Sequence, residues 1–204
     1  DCKSALMESE GDIDKAIEVL RKKSVLKAEK KSGRATNEGA IVLGSSDNTD
    51  FIVEVDTETD FAAKDASFQT FLNELSDYCA ENDPKDLQDL NTNYKDQLLS
   101  IIQKIGENIK VSYNEKISKE GGVVASYKHS DNKLAAIVKI DSGDEIVGRD
   151  IAMQVAANNP MAIYPEDIDT AILNKEKEIA LATLENENKP EEIKEKIIMG
   201  KLNK

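Results

Sequence analysis

The chain has no tryptophan, one histidine and two cysteines, and aromatic residues make up only 4% of it. Each shortage excludes something. With His129 alone, an HExxH zinc-protease motif cannot be built. Cys2 and Cys79 lack CxxC spacing; they point away from a zinc site and a disulfide framework and fit a reducing compartment. Aliphatic side chains must build most of the core. No apolar run approaches the roughly 20 residues that a membrane helix needs, and no basic-then-apolar leader opens the chain. Positive charge is short as well: 27 Lys and Arg against 40 Asp and Glu leave a net charge of −13. Phosphate-tracking proteins draw much of their affinity from cations that neutralise the nucleic-acid backbone, so so acidic a chain is a poor non-specific nucleic-acid binder. The local exception, RKKSVLKAEKK at 21–31, reads as a solvated helical face. The phosphate-binding GxxxxGK[ST] and GxGxxG loops are missing, as is the GxSxG nucleophile turn. The reading is therefore of a protein that is not an enzyme and carries no cofactor.

What is present is a globular composition, 39% hydrophobic and 33% charged over 204 residues. That length suits one average domain or two small ones. The first 33 residues read as helical, with Asp12 as N-cap and Ile13, Ala16, Ile17 and Leu20 at i, i+3, i+4 and i+7. SGRATNEG at 32–39 reads as a connector. A hairpin follows, with strands at 40–43 and 51–55. Residues 64–80 give the clearest helical pattern, with Phe68, Phe71, Leu72, Leu75, Tyr78 and Cys79 in one stripe ending at Asn82-Asp83-Pro84. Tyr94, Leu98, Ile101, Ile102 and Ile105 form a second stripe that stops at Gly106. The period then becomes two, with Ile109, Val111 and Tyr113 on one face. A second hairpin is expected from Gly121-Gly122 through 134–140. Helical patterning resumes near Glu145, runs to Asn159-Pro160, and returns over 168–187 and 190–202. The two hairpin regions share a Ser-Asp-Asn turn, Ser46-Asp47-Asn48 and Ser130-Asp131-Asn132, and each precedes a helix. This reads as a weak internal duplication. The expected class is α+β: a helical module at 1–33, a first α+β part at 34–120 and a second at 121–204.

The stretch EVDTETDFAAKD, at 54–65, joins a strand to a helix and sets an acid and a large aromatic on a turn. Asp56, Glu58 and Asp60 alternate as at the start of a calcium loop. Phe61 and Ser67 stand where that loop needs glycine and a bidentate glutamate, and the calcium reading fails on both. Two readings of Phe61 stay open. The ring either tucks back onto Phe68 or Leu72 as a staple, or projects to fill a pocket on a partner. His129, taken alone, reads as a polar turn residue.

Several blocks then carry a resemblance. DCKSAL and GDIDKAIEVLR resemble the N-terminal module of the elongation factor Ts family, the nucleotide-exchange factors for elongation factor Tu. TETDFAAKDASFQTF resembles that family's signature segment. KIGENIKV, ASYKH, DIAMQVAANNP and KPEEIKEKIIMGKLNK resemble later blocks, in the same order. The resemblance implies a ubiquitin-associated-like helical module followed by two related α+β subdomains, in a family whose members extend beyond both ends of this chain. It implies that Thr59, Asp60, Phe61 and Ala62 match the segment that enters beside the partner's GTPase domain and disturbs its magnesium site. Ile105, Gly106, His129 and Lys3 match further partner contacts. Ala62 stands where valine is usual, and Ser4 where lysine is common. The implied function is binding to elongation factor Tu carrying GDP and promotion of GDP release, in a cytoplasmic or organelle-matrix setting. There is no direct nucleic-acid or membrane role. The alternative is an acidic interaction module without exchange activity.

Overall fold

The computed structural model describes residues 2–184 and 190–202. The chain forms two compact units that divide between Ala157 and Asn158. The first opens with α1 (Cys2–Glu8) and α2 (Ile13–Lys31). Asp12 caps α2 as its pattern demands, accepting the Lys15 N–H at 3.1 Å. The apolar stripe of α2 behaves differently from expectation. Ala16 is buried, as is Ala5 of α1, but Ile13 and Ile17 remain 67% and 50% exposed. The partner helix is only 7 residues long, too short to cover the stripe.

The core belongs to a three-stranded antiparallel sheet in the order β1 (Glu38–Ser45), β2 (Thr49–Thr57), β3 (Ile109–Ser118). Between β2 and β3 the chain runs through α3 (Asp60–Lys64), α4 (Ala66–Asn82), α5 (Leu87–Asn93) and α6 (Lys95–Ile105). The α4 stripe buries Phe68, Phe71, Leu72, Leu75 and Cys79 against the inward residues Val42, Val53, Val55 and Val111. Asp83, left-handed at φ 44°, ends α4, and Gly106, at φ 87°, ends α6. Burial pushes the Cys79 thiol up to about 12, so it stays an inert thiol. Gly44 pairs with Phe51 across the hairpin. A Cβ at Gly44 would lie 2.1 Å from the Phe51 ring, so the glycine is what lets that ring lie over the strand.

Two sequence expectations are corrected here. The helix expected over 64–80 is present but starts two residues later, at Ala66, because Asp65 closes α3 and caps α4 with extended backbone (ψ 136°). And Tyr113 does not share a face with Ile109 and Val111. Val55 pairs with Val111 but Glu54 with Tyr113; the extra residue, Ser112, is a bulge that flips the alternation. Tyr113 is left 45% exposed. Helix α5, with Leu90 fully buried, was not legible in the apolar pattern.

Next come β4 (Val123–Lys128) and β5 (Ala135–Ile140), a second antiparallel hairpin, and α7 (Glu145–Asn158). Gly148 on α7 sits so close to Ala125 of β4 that a Cβ there would approach Ala125 Cβ to 2.7 Å. The Ser130–Lys133 turn reaches the first sheet: Ile41 N–H on β1 donates to the Asn132 carbonyl at 2.7 Å. That bond covers part of an edge strand that would otherwise offer free backbone groups.

The second unit holds a short 3-10 turn at Pro165–Asp167, α8 (Thr170–Leu184) and α9 (Glu191–Leu202). Ala180 and Leu184 of α8 bury against Ile198 of α9. The part of the expected 168–187 helix beyond Leu184 lies outside the described residues. Among the described residues no helix is long and apolar enough to cross a membrane. The class is α+β, as the sequence leads one to expect: a helical start, then antiparallel sheets covered by helices.

Candidate functional site: an aromatic residue on a clamped turn

Helix α3 is five residues long, far below the length at which a helix holds itself together in water. What holds it is the rest of the fold. Ala62 and Ala63 turn inward and are buried. Gln69 Nε2 donates to the Ala63 carbonyl at 2.7 Å. Thr59 caps the first turn, its Oγ1 accepting the Ala62 N–H at 3.2 Å. Fully buried Thr57 donates its hydroxyl to the Thr59 carbonyl at 2.9 Å. With the inward positions filled by two alanines, Phe61 points out and is 82% exposed. The staple reading is thereby excluded. Phe68 is fully buried and stacks on Phe71 with ring centroids 6.3 Å apart, and the extended backbone at Asp65 puts Phe61 out of phase with that stripe.

The acids around Phe61 go to different partners. Asp60 pairs with Lys64 at 2.8 Å, and that hydrogen bond holds its carboxyl below the usual aspartate value. Glu58 accepts the Asn108 N–H at 2.6 Å and faces Arg34 at 3.3 Å; the backbone N–H lowers its carboxyl also. Asp56 pairs with Lys110 at 3.2 Å. Three carboxylates with three separate cationic partners do not converge on an ion. Among the described residues no group of three or more His, Cys, Asp or Glu side chains is placed to hold a metal.

On one side, a cleft of about 580 Å³ separates α3 from the second hairpin, lined by Asp60, Lys64, Gln69 and the 130–133 turn. Lys133 ion-pairs with Glu38 across it, which raises the lysine above its ordinary value. His129, at the start of that turn, is exposed, and its Nδ1 lies 2.9 Å from the Tyr127 hydroxyl. On the other side, Ile105 is half-buried beside the core and Gly106 is exposed in the loop that follows. So the structure gathers Thr59, Asp60, Phe61 and Ala62 with the loop at Gly106 and the turn after His129. Ala62 underpins this surface and does not face outward. Lys3 is exposed on α1, and no hydrogen bond or cleft described around α3 includes it. Sequence reasoning missed Glu107, Glu38 and Lys133, whose partners lie far away along the chain.

An exposed aromatic on a helix held by buried alanines, with charged groups around it, has the features of an interface anchor. Comparison with known proteins narrows this. The sequence profile of the family described as Elongation factor TS matches residues 58–204. A protein named elongation factor Ts from Marinobacter nauticus is 45% identical over 207 aligned residues, covering 100% of this chain and 71% of the relative. Those of Teredinibacter turnerae and Clostridium novyi are 40% and 37% identical, covering 100% of this chain and 71% and 72% of their own lengths. The chain belongs to the elongation factor Ts family, and with it to the elongation factors of protein biosynthesis.

Proposed function

We propose that this chain binds the translational GTPase elongation factor Tu in its GDP-bound form and promotes release of the nucleotide. The observation that carries the reading is Phe61, 82% exposed at the tip of a helix whose inward residues are buried. A nucleotide–magnesium complex is held by backbone N–H groups, a lysine and the metal. A factor that binds better to a partner conformation with that cradle broken weakens the nucleotide without touching it, and nucleotide weakens the factor to the same degree. A thousandfold effect needs about 4 kcal/mol of differential binding. Burying an aromatic ring supplies roughly 2–3 kcal/mol of this, and one or two charge-assisted hydrogen bonds supply the rest. In this reading no covalent bond is made or broken.

Phe61 is the wedge, with Thr59 and Ala62 as its mount and Asp60 beside it. Ile105, Gly106 and His129 flank it, and Lys3 belongs to a separate contact by the 1–33 module, ahead of α+β parts at 34–120 and 121–204. The setting is cytoplasmic, with no role for membrane or nucleic acid. The test is stopped-flow release of labelled GDP from elongation factor Tu, with and without this chain. Acceleration supports the proposal. Binding without acceleration would replace it with the plain interaction module.

A further inference from the structure

Glu107 lies 48 residues from Thr59 in sequence, yet its carboxylate takes both of that residue's donors. Thr59 N–H donates to Oε2 at 3.0 Å and the Thr59 hydroxyl to Oε1 at 2.7 Å. The same hydroxyl oxygen accepts the Ala62 N–H, so the chain of bonds runs from Glu107 through Thr59 into the first turn of α3. We propose that Glu107 is a positioning residue that fixes the direction of Phe61 from across the fold. This rests on the exchange reading above.

The argument is one of leverage. Phe61 sits on a helix too short to order itself, so its direction is set by whatever grips that helix. Burial of Ala62 and Ala63 and the Gln69 bond hold the side and far end. At the N-terminal end, directly before Asp60 and Phe61, the Thr57 hydroxyl holds the Thr59 carbonyl and Glu107 holds both of Thr59's donors. A charge-assisted, two-pronged bond to backbone and hydroxyl fixes direction as well as distance. Glu107 is itself held. Lys31 Nζ donates to the neighbouring Gly106 carbonyl at 2.7 Å. Asn108, buried, donates its side-chain amide to the Arg34 carbonyl at 2.9 Å, and its backbone N–H goes to Glu58. The end of α2 and the connector after it are therefore tied to the same loop that clamps the wedge. In this proposal Glu107 acts through Thr59.

The test has two arms. The first needs no partner: hydrogen exchange of the amides over residues 57–64 is compared in the wild-type protein and in Glu107→Ala. Exchange at Ala62 and Ala63 should speed up at least fivefold, with exchange across β1 and β2 unchanged. Glu107→Gln keeps one acceptor for the Thr59 N–H and should fall in between. No change in Glu107→Ala overturns the inference, whatever the protein's function. The second arm measures stimulated GDP release. Glu107→Ala should lower the maximal rate about fivefold with the half-saturating concentration within twofold of wild type. In a Phe61→Ala background it should add nothing, because it acts only through that ring. A further fall in the double variant means general destabilisation and also overturns the inference. If the wild-type protein fails to release GDP while the first arm responds, the clamp stands and the exchange reading falls.

Discussion

Phe61→Ala separates a ring that works on a partner from a ring that works for its own fold. With 82% of the residue exposed, the ring buries little in the free protein, and truncating it should shift the melting temperature by less than about 2 °C. In the complex the same ring is expected to bury most of its surface. Full burial of a phenylalanine side chain is worth about 1.5–3 kcal/mol. If about 1.4–2 kcal/mol of that arises only as the partner's magnesium site opens, the maximal stimulated release of GDP should fall about ten- to thirtyfold. The assay is stopped-flow release of labelled GDP from elongation factor Tu over a concentration series of the factor, so that rate and half-saturation are separated. Stimulation within twofold of wild type would refute the wedge. A melting temperature lower by more than about 4 °C would refute the geometry, since it would mean the ring stabilises the free fold.

Gly106→Ala should cost about 1–2 kcal/mol in urea unfolding. The backbone there sits at φ 87° and no atom lies within 4 Å of the added Cβ, so the whole loss comes from conformation and not from a clash; an unchanged midpoint would contradict that. The bond from Asn108 N–H to Glu58 should be pH-sensitive. Because that bond lowers the Glu58 carboxyl below its ordinary value, its contribution is complete above the unfolded value of about 4.3 and is lost as the pH falls through the lower folded value. Hydrogen exchange at Asn108, corrected for intrinsic rates, should therefore stay slow at neutral pH and rise only below about pH 4.3. Glu58→Gln should remove that dependence, and a pH-independent Asn108 in the wild type would contradict it.

Much of this fold is legible in the sequence because much of it is local. The Asp12 cap, the α4 stripe and the glycine stop at Gly106 are written within a few residues of where they act. Both hairpins declare themselves by period and turn. The failures have physical causes. The α4 helix starts at Ala66 and not at Lys64 because the Asp65 side chain accepts the Ser67 N–H at 2.7 Å and caps it, a boundary that a stripe beginning at Phe68 does not mark. Tyr113 changes face because of one bulged residue, which alternation cannot announce. The site divides along the same line. TDF is conspicuous as a segment, yet the choice between an inward and an outward Phe61 depended on Ala62 and Ala63 taking the inward positions. Glu107 was invisible, since nothing near it in sequence points to Thr59.

The most direct test of the central claim is equilibrium linkage. The affinity of elongation factor Tu for GDP is measured with and without saturating amounts of this chain, and the affinity of the chain for elongation factor Tu with and without GDP. The account predicts that each ligand weakens the other by the same large factor, and that Phe61→Ala shrinks both factors together. Equal affinity of the chain for GDP-bound and nucleotide-free elongation factor Tu would contradict it.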